Sequence, residues 1–217
     1  MVTSTAPNVA CRGGLVPVKN ADGSVYSGSG RPYYYASSAT ALYLGDLVVV
    51  DGNSNQVAVV ASGGGVYGAV GCPIGSLPTV VRTTNGTHAS TGVVVSVGLD
   101  PSGTMGGANY VPVSKACVVF IEDNKGVLYE IQSNGAASSH TYADIEANAN
   151  VTGSGGVTQT GRSSIQLDQG SLTTGSTTQL VIKGVSRRIN ASDMTQANPC
   201  FYVKLNNVTE ANNMAGF

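Results

Sequence analysis

Aliphatic and β-branched residues in this chain come in short runs, and a turn-forming residue ends each run before a helical stripe can develop. The runs are Leu15–Val18, Leu42–Val50, Gln56–Ala61, Thr79–Thr84, Thr91–Leu99, Tyr110–Val113, Cys117–Ile121, Val127–Gln132, Ile165–Leu167, Leu180–Ser186 and Cys200–Leu205. About eleven short strands at fairly regular spacing is an all-β pattern. Asp22-Gly23, Asp51-Gly52, Asn85-Gly86 and Asn134-Gly135 tolerate the positive φ of tight turns and read as hairpin or loop tips. The best helical candidate is a turn or two within Ser138–Asn150, rich in Ala but without a sustained 3.6-residue stripe. The expected fold is therefore all-β: an antiparallel β-barrel or jelly-roll-like sandwich with an extended N-terminal arm and little helix.

The clearest expected hairpin joins Cys117–Ile121 to Val127–Gln132 across Glu122–Gly126. In its second arm Val127, Tyr129 and Ile131 share one face, and Leu128, Glu130 and Gln132 share the other, so one side faces water. Met1–Gly14 combines Pro, Gly and small residues without periodicity, and its 14 residues would span at most about 46–50 Å. Thr152–Ser164 is Gly/Ser/Thr-rich and reads as a surface loop, and Asn206–Phe217 as a polar tail closed by Phe. The organisation expected is residues 1–14 as an arm, 15–135 as a β-rich body, and 136–217 as a β-rich part that completes the body or forms a second lobe.

Composition narrows the chemistry. Only 23 of 217 residues are charged, while Gly, Ser, Thr and Asn supply 87. An average soluble domain is roughly a quarter charged, so this surface is covered by small uncharged polar groups that are cheap to desolvate against another protein. With no Trp and three Phe, the core must be built from Val, Leu, Ile, Ala and Tyr, and oligomeric contacts often supplement such thin cores. The net charge of −1, scattered singly, leaves no basic stripe for a phosphate backbone, so no nucleic-acid partner is expected. The apolar runs are too short to span a bilayer, and Met1–Gly14 has no signal-peptide pattern, so the expectation is synthesis in a cytoplasm without a membrane partner. Cys11, Cys72, Cys117 and Cys200 form no C-x-x-C and are expected to be reduced and mostly buried. Four N-x-S/T sequons match chance for a chain this rich in Asn, Ser and Thr.

Motif readings favour no catalyst. Gly63, Gly65 and Gly68 form a G-x-G-x-x-G after a strand, but Ala69-Val70-Gly71-Cys72-Pro73 follows where a dinucleotide site needs a helix. His88 and His140 sit in loop-like surroundings, no G-x-S-x-G is present, and Ser is too common for any one to be singled out. A β-fold hydrolase would need a Ser, a His and an Asp brought together by the fold, and both His isolated in loops would remove it. Glu122 and Asp123 are adjacent and cannot face one another across a glycosidic bond. Neither a catalytic residue nor a metal or cofactor site is assigned. Tyr33-Tyr34-Tyr35 is the one aromatic cluster: an interface anchor or sugar platform on one reading. On the other it is an extended segment with Tyr34 on one face and Tyr33 and Tyr35 on the other, packed at a barrel end.

The order of segments carries a resemblance. Leu15-Val16-Pro17-Val18-Lys19 is followed by Leu44-Gly45-Asp46-Leu47-Val48, Gly92–Val95 leading to Asp100-Pro101, and Tyr110–Val113. Then come Cys117–Asp123, Leu128–Gln132, Thr160-Gly161-Arg162-Ser163 and Val203–Asn206. Over residues 15–210 this pattern resembles the capsid decoration, or cement, proteins of tailed bacteriophages. The resemblance implies a non-enzymatic virion protein that oligomerises, as a trimer ahead of a dimer, on the outer surface of an expanded capsid. Its partners would be the major capsid protein and itself. Contacts would fall on the arm and the Tyr cluster, with Val9, Arg12, Leu15, Tyr33, Tyr34, Tyr35 and Phe217 as interface residues. The chain is roughly twice as long as the smallest decoration proteins, so an extra lobe must be accommodated. The alternative from another class is a surface-exposed adhesin or carbohydrate-binding module that uses Tyr33–Tyr35 as a stacking platform.

Overall fold

A computed structural model describes residues 8, 13–28, 30–35, 40–50, 79–82, 90–98, 108–175, 178–188 and 191–206. The chain is all-β, with antiparallel sheets that curl. Five strands close into a small barrel: β2 (Arg31–Tyr35), β3 (Leu47–Val50), β4 (Thr79–Arg82), β5 (Gly92–Val97) and β6 (Cys117–Glu122), in the order β2-β4-β3-β5-β6. Its pairings are antiparallel except β2 with β4. Period-two alternation turns Tyr33 and Tyr35 inward, where they join Leu42, Val48, Val80, Val94, Val111, Val119 and Ile121 in one core.

A second sheet takes the first strand of the chain and the later ones. Its order is β1 (Val16–Asn20), β7 (Val127–Gln132), β13 (Cys200–Leu205), β12 (Leu180–Val185), β8 (Asn148–Thr152) and β11 (Gln166–Thr173). A parallel bridge between Ser133 and Leu167, and the Asn134 N–H donating to the Leu167 carbonyl at 3.0 Å, bring β11 round to the end of β7. The curl encloses a larger core that includes Tyr129, Ile131, Val151, Leu167, Ile182 and Phe201. A short hairpin, β9 (Gly156–Val157) with β10 (Arg162–Ser163), stands beside it.

The two cores share a wall. Leu47 and Val93 are paired across β3 and β5 and belong to the sheet's core, whereas Val48 and Val94, one residue on, belong to the barrel's. Strands buried on both faces must be apolar at successive positions, which is why Leu47-Val48 and Val93-Val94 are apolar in succession and all buried. Gly14 and Gly45 let the chain entering β1 press against this wall: the Leu15 N–H donates to the Gly45 carbonyl at 3.0 Å, and a Cβ on Gly14 would come within 2.7 Å of that oxygen.

Three expectations are corrected. β6 and β7 do not form a hairpin, because β6 pairs with β2 and β5 while β7 pairs with β1 and β13; residues 123–126 carry the chain from barrel to sheet. β1 and β7 both belong to the sheet that β13, β12, β8 and β11 continue, and the barrel is inserted between them. Thr152–Ser164 contains the β9–β10 hairpin. Cys200 is disulfide-bonded to a cysteine outside the described residues, while Cys117 is a buried thiol outside any disulfide. The expected turn within Ser138–Asn150 is a three-residue 3-10 turn, Tyr142–Asp144. Gly63, Gly65, Gly68 and His88 lie outside the described residues.

Candidate functional site

Of the expected interface residues, Leu15, Tyr33 and Tyr35 are withdrawn from the surface. Leu15 is 1% exposed in the sheet's core, and Tyr33 and Tyr35 are 7% and 1% exposed in the barrel's. The Tyr33 hydroxyl donates to Asp123 Oδ2 at 3.0 Å and that of Tyr35 to the Thr40 carbonyl at 2.8 Å, so both polar ends are satisfied internally. The inward-facing alternation therefore wins over the stacking platform. Tyr34 points outward from the barrel, half-buried, and partial desolvation raises its hydroxyl pKa. Val9, Arg12 and Phe217 lie outside the described residues.

The arm has a fixed point. Asn8 Nδ2 donates to the carbonyls of Asp193 and Ala197, each at 2.9 Å, and its Oδ1 accepts from the Asp193 N–H at 3.3 Å. One side-chain amide thus spans two positions of the loop before β13 and fixes Asn8 to it.

The polar groups with chemistry are buried. Asp46, at the entry to β3, accepts from the Tyr43 N–H at 2.8 Å, from Ser163 Oγ at 2.5 Å and from Arg82 Nη2 at 2.7 Å. Arg82 Nη2 also donates to the Gly155 carbonyl at 3.0 Å, and its Nε has no partner among the described residues. Burial raises the Asp46 pKa despite the guanidinium beside it. The cluster ties the barrel to the β9–β10 hairpin, which the Gly161 carbonyl and Ser163 N–H also bond to Leu44.

A Ser–His–Asp relay lies within twelve residues. Ser133 Oγ is 2.7 Å from His140 Nε2, and His140 Nδ1 is 2.9 Å from Asp144 Oδ2. With the proton on Nδ1, the ring donates to Asp144 and accepts from the Ser133 hydroxyl, the order of partners used in acyl transfer. The surroundings differ from a working nucleophile's. Ser133 is 0% exposed, its Oγ accepts from the Gly135 N–H at 3.0 Å, and the His140 ring meets the edge of Phe201 at 4.8 Å. A Cβ on Gly135 would lie 2.7 Å from His140 Nε2, so the backbone itself fills the approach. Asp144 further accepts from the Thr141 N–H at 3.0 Å. As folded, the relay clasps the loop from β7 to the 3-10 turn. His140 is thus not isolated, which the sequence reading missed: the spacing Ser-x6-His-x3-Asp was present but hidden among 23 serines.

Two open grooves flank the junction of barrel and sheet. One, of about 480 Å³, is lined by Leu15, Pro17, Tyr26, Leu44, Val95 and Phe120 among others. The other, of about 540 Å³, meets it at Gly28 and is lined by Arg31, Glu122, Asp123 and Lys125. Three of its charged groups are engaged: Arg31 pairs with Asp123 at 3.3 Å, and the Tyr26 hydroxyl donates to Glu122 Oε2 at 2.8 Å, with burial and that carboxylate raising the Tyr26 pKa. Among the described residues no three His, Cys, Asp or Glu side chains converge as metal ligands. No family model, curated protein or solved structure matches the chain.

Proposed function

We propose that the chain is a structural virion protein that binds the outer surface of a tailed-phage capsid and stabilises the expanded shell by bridging coat subunits. The observation that carries this reading is the distribution of charge. The chain has few charges, and Asp46, Arg82, Glu122, Asp123 and Asp144 are engaged inside it. Among the described residues the exposed positions are mostly Ser, Thr, Asn and Gly, whose side-chain and backbone groups can hydrogen-bond across an interface without the cost of burying ions. A lattice of equivalent sites then supplies avidity to an oligomer whose single contacts are weak.

The test is co-sedimentation of the purified protein with undecorated shells before and after expansion, with stoichiometry read from the pellet. Saturable binding to expanded shells at a fixed ratio to coat subunits supports the reading, and absence of binding to either form rejects it. Removal of residues 1–7, which keeps Asn8 and its bonds to Asp193 and Ala197, tests for an arm contact. Substitution Tyr34→Ala tests the outward ring. A glycan array separates out the carbohydrate-binding alternative, which has lost Tyr33 and Tyr35 to the barrel core.

A further inference from the structure

We infer that the outer face of the six-stranded sheet, around Tyr202, docks a protein partner through an extended acidic segment. The fold gathers there cations that stand apart in the sequence. In β7 and β13 the side chains of Tyr129, Ile131, Phe201 and Val203 turn into the core, so those of Leu128, Glu130, Tyr202 and Lys204 turn out. Tyr202 stands opposite Glu130 on one side and Gly184 on the other, and Lys19 of β1 stands opposite Leu128. The Lys19 ammonium lies over the Tyr202 ring, 5.6 Å from its centroid, and the Tyr202 hydroxyl accepts from the Arg187 N–H at 3.3 Å. Arg188 reaches Glu130 Oε2 at 3.6 Å. Lys19, Arg187, Arg188 and Lys204 are four of the chain's 11 Lys and Arg, and Glu130 is the carboxylate set among them. Glu130 is already shared by Arg188 and the Ser186 hydroxyl. Lys19, Arg187 and Lys204 pair with no carboxylate among the described residues.

The surroundings of these cations select the occupant. A local surplus of positive charge in a chain of net charge −1 calls for an anion. The patch is compact: Lys19 and Lys204 stand two strands apart, about 10 Å, whereas a nucleic-acid backbone is held by a stripe of phosphate contacts. Carboxylates at alternate positions of an extended peptide are about 7 Å apart and suit that span. Apolar side chains border the patch. Val25, 82% exposed, bridges to Lys19, and Val181 stands opposite Lys204. They give a peptide apolar area to bury, which a sugar-phosphate backbone does not match. The Tyr202 ring carries Lys19 on one face, so it offers no platform there to a base or a sugar. Beside it Gly184 leaves room at the sheet surface, since a Cβ there would meet nothing within 4 Å. The inference is independent of the capsid reading, because its test uses no shell; in that reading this face would be the side turned to the coat protein.

The test is an NMR titration of the isotope-labelled full-length protein with a short synthetic peptide alternating Glu and Ala. The same peptide with Lys for Glu, and an oligothymidylate of equal charge to the acidic peptide, are the controls. Amide shifts are expected to concentrate on Lys19, Glu130, Arg187, Tyr202 and Lys204, and the affinity to fall at least about tenfold from low to physiological salt. The full-length variant combining Lys19→Glu with Lys204→Glu is expected to bind at least about tenfold more weakly, with an unchanged circular dichroism spectrum. Arg187→Glu, at an exposed position, is expected to act in the same direction and serves if that pair disturbs the sheet. Shifts confined to another face, no shifts at millimolar peptide, full affinity in the folded variants or equal binding of the Lys peptide overturns the inference. Tighter binding of the oligothymidylate overturns it too, by making the face one for nucleic acid.

Discussion

The barrel and the curled sheet solve the same packing problem with different means. The sheet has the larger core and the large rings of Tyr129 and Phe201 at its centre. The barrel's core is smaller, with Val at half of its described buried positions and two Tyr whose hydroxyls must reach acceptors at its rim. The barrel compensates with a buried ion pair, and the groups that satisfy that pair, Ser163 Oγ and the Gly155 carbonyl, come from the segment carrying the β9–β10 hairpin. A small Val-rich barrel in this chain therefore depends on its neighbour for polar satisfaction as well as for apolar area. Substitution Asp46→Ala should expose that dependence most strongly. It leaves Arg82, 2% exposed, without its carboxylate, and should cost about 3–5 kcal/mol. Urea unfolding measures it; a loss below about 1 kcal/mol would mean that the pair is not a brace.

The shared wall makes a second prediction. Leu47→Ala removes a side chain from the sheet's core and Val48→Ala one from the barrel's, although the residues are neighbours on β3. Leu47→Ala should cost about 2–5 kcal/mol. Both variants should unfold in one transition seen alike by far-UV circular dichroism and tyrosine fluorescence, because neither core retains its wall without the other. Two separated transitions in either variant would show that barrel and sheet are independent units.

How far the sequence could be read follows from the same wall. Strands whose burial is written in their own residues were legible. β12 and β13 fall within a residue of their expected bounds, and the Val127–Gln132 alternation puts Tyr129 and Ile131 inside as expected. Partner choice was not legible, because β6 and β7 both carry strand patterns and nothing local says that they serve different sheets. β8 was hidden because Asn148, Asn150 and Thr152 alternate outward and only Ala149 and Val151 turn in. The Tyr cluster was placed correctly only in its alternating reading. The Asp46–Arg82–Ser163 and Ser133–His140–Asp144 groups were missed for different reasons. The first joins residues far apart in the chain; the second uses residue types too common here to stand out.

The Ser133 relay offers a sharper contrast between structural and chemical roles. Ser133→Ala leaves His140 Nε2 buried without a donor and should cost about 1–3 kcal/mol. A fluorophosphonate probe should leave Ser133 unlabelled in the native protein, since its hydroxyl is solvent-excluded. Labelling there would turn the clasp into a nucleophile reached by local opening.

The smallest expected effect is in the loop that holds Asn8. Asp193 Oδ1 accepts from the N–H of Thr195 at 2.9 Å and from its hydroxyl at 2.6 Å, and the hydroxyl and N–H bonds lower the Asp193 pKa below 3.8. A depressed carboxylate pKa means that the unfolded chain binds the proton more readily, so the contribution is present above 3.8 and is lost as pH falls through the folded value. Thr195→Ala should therefore lower the Tm slightly at neutral pH, and the gap to the parent should close as the pH drops below that range. Because Asp193 also supplies a carbonyl and an N–H to Asn8, the same acidification should speed proteolysis near residue 8 in the parent. A gap that stays constant down to pH 2 would show that the Thr195 hydroxyl acts through packing rather than through the charge on Asp193.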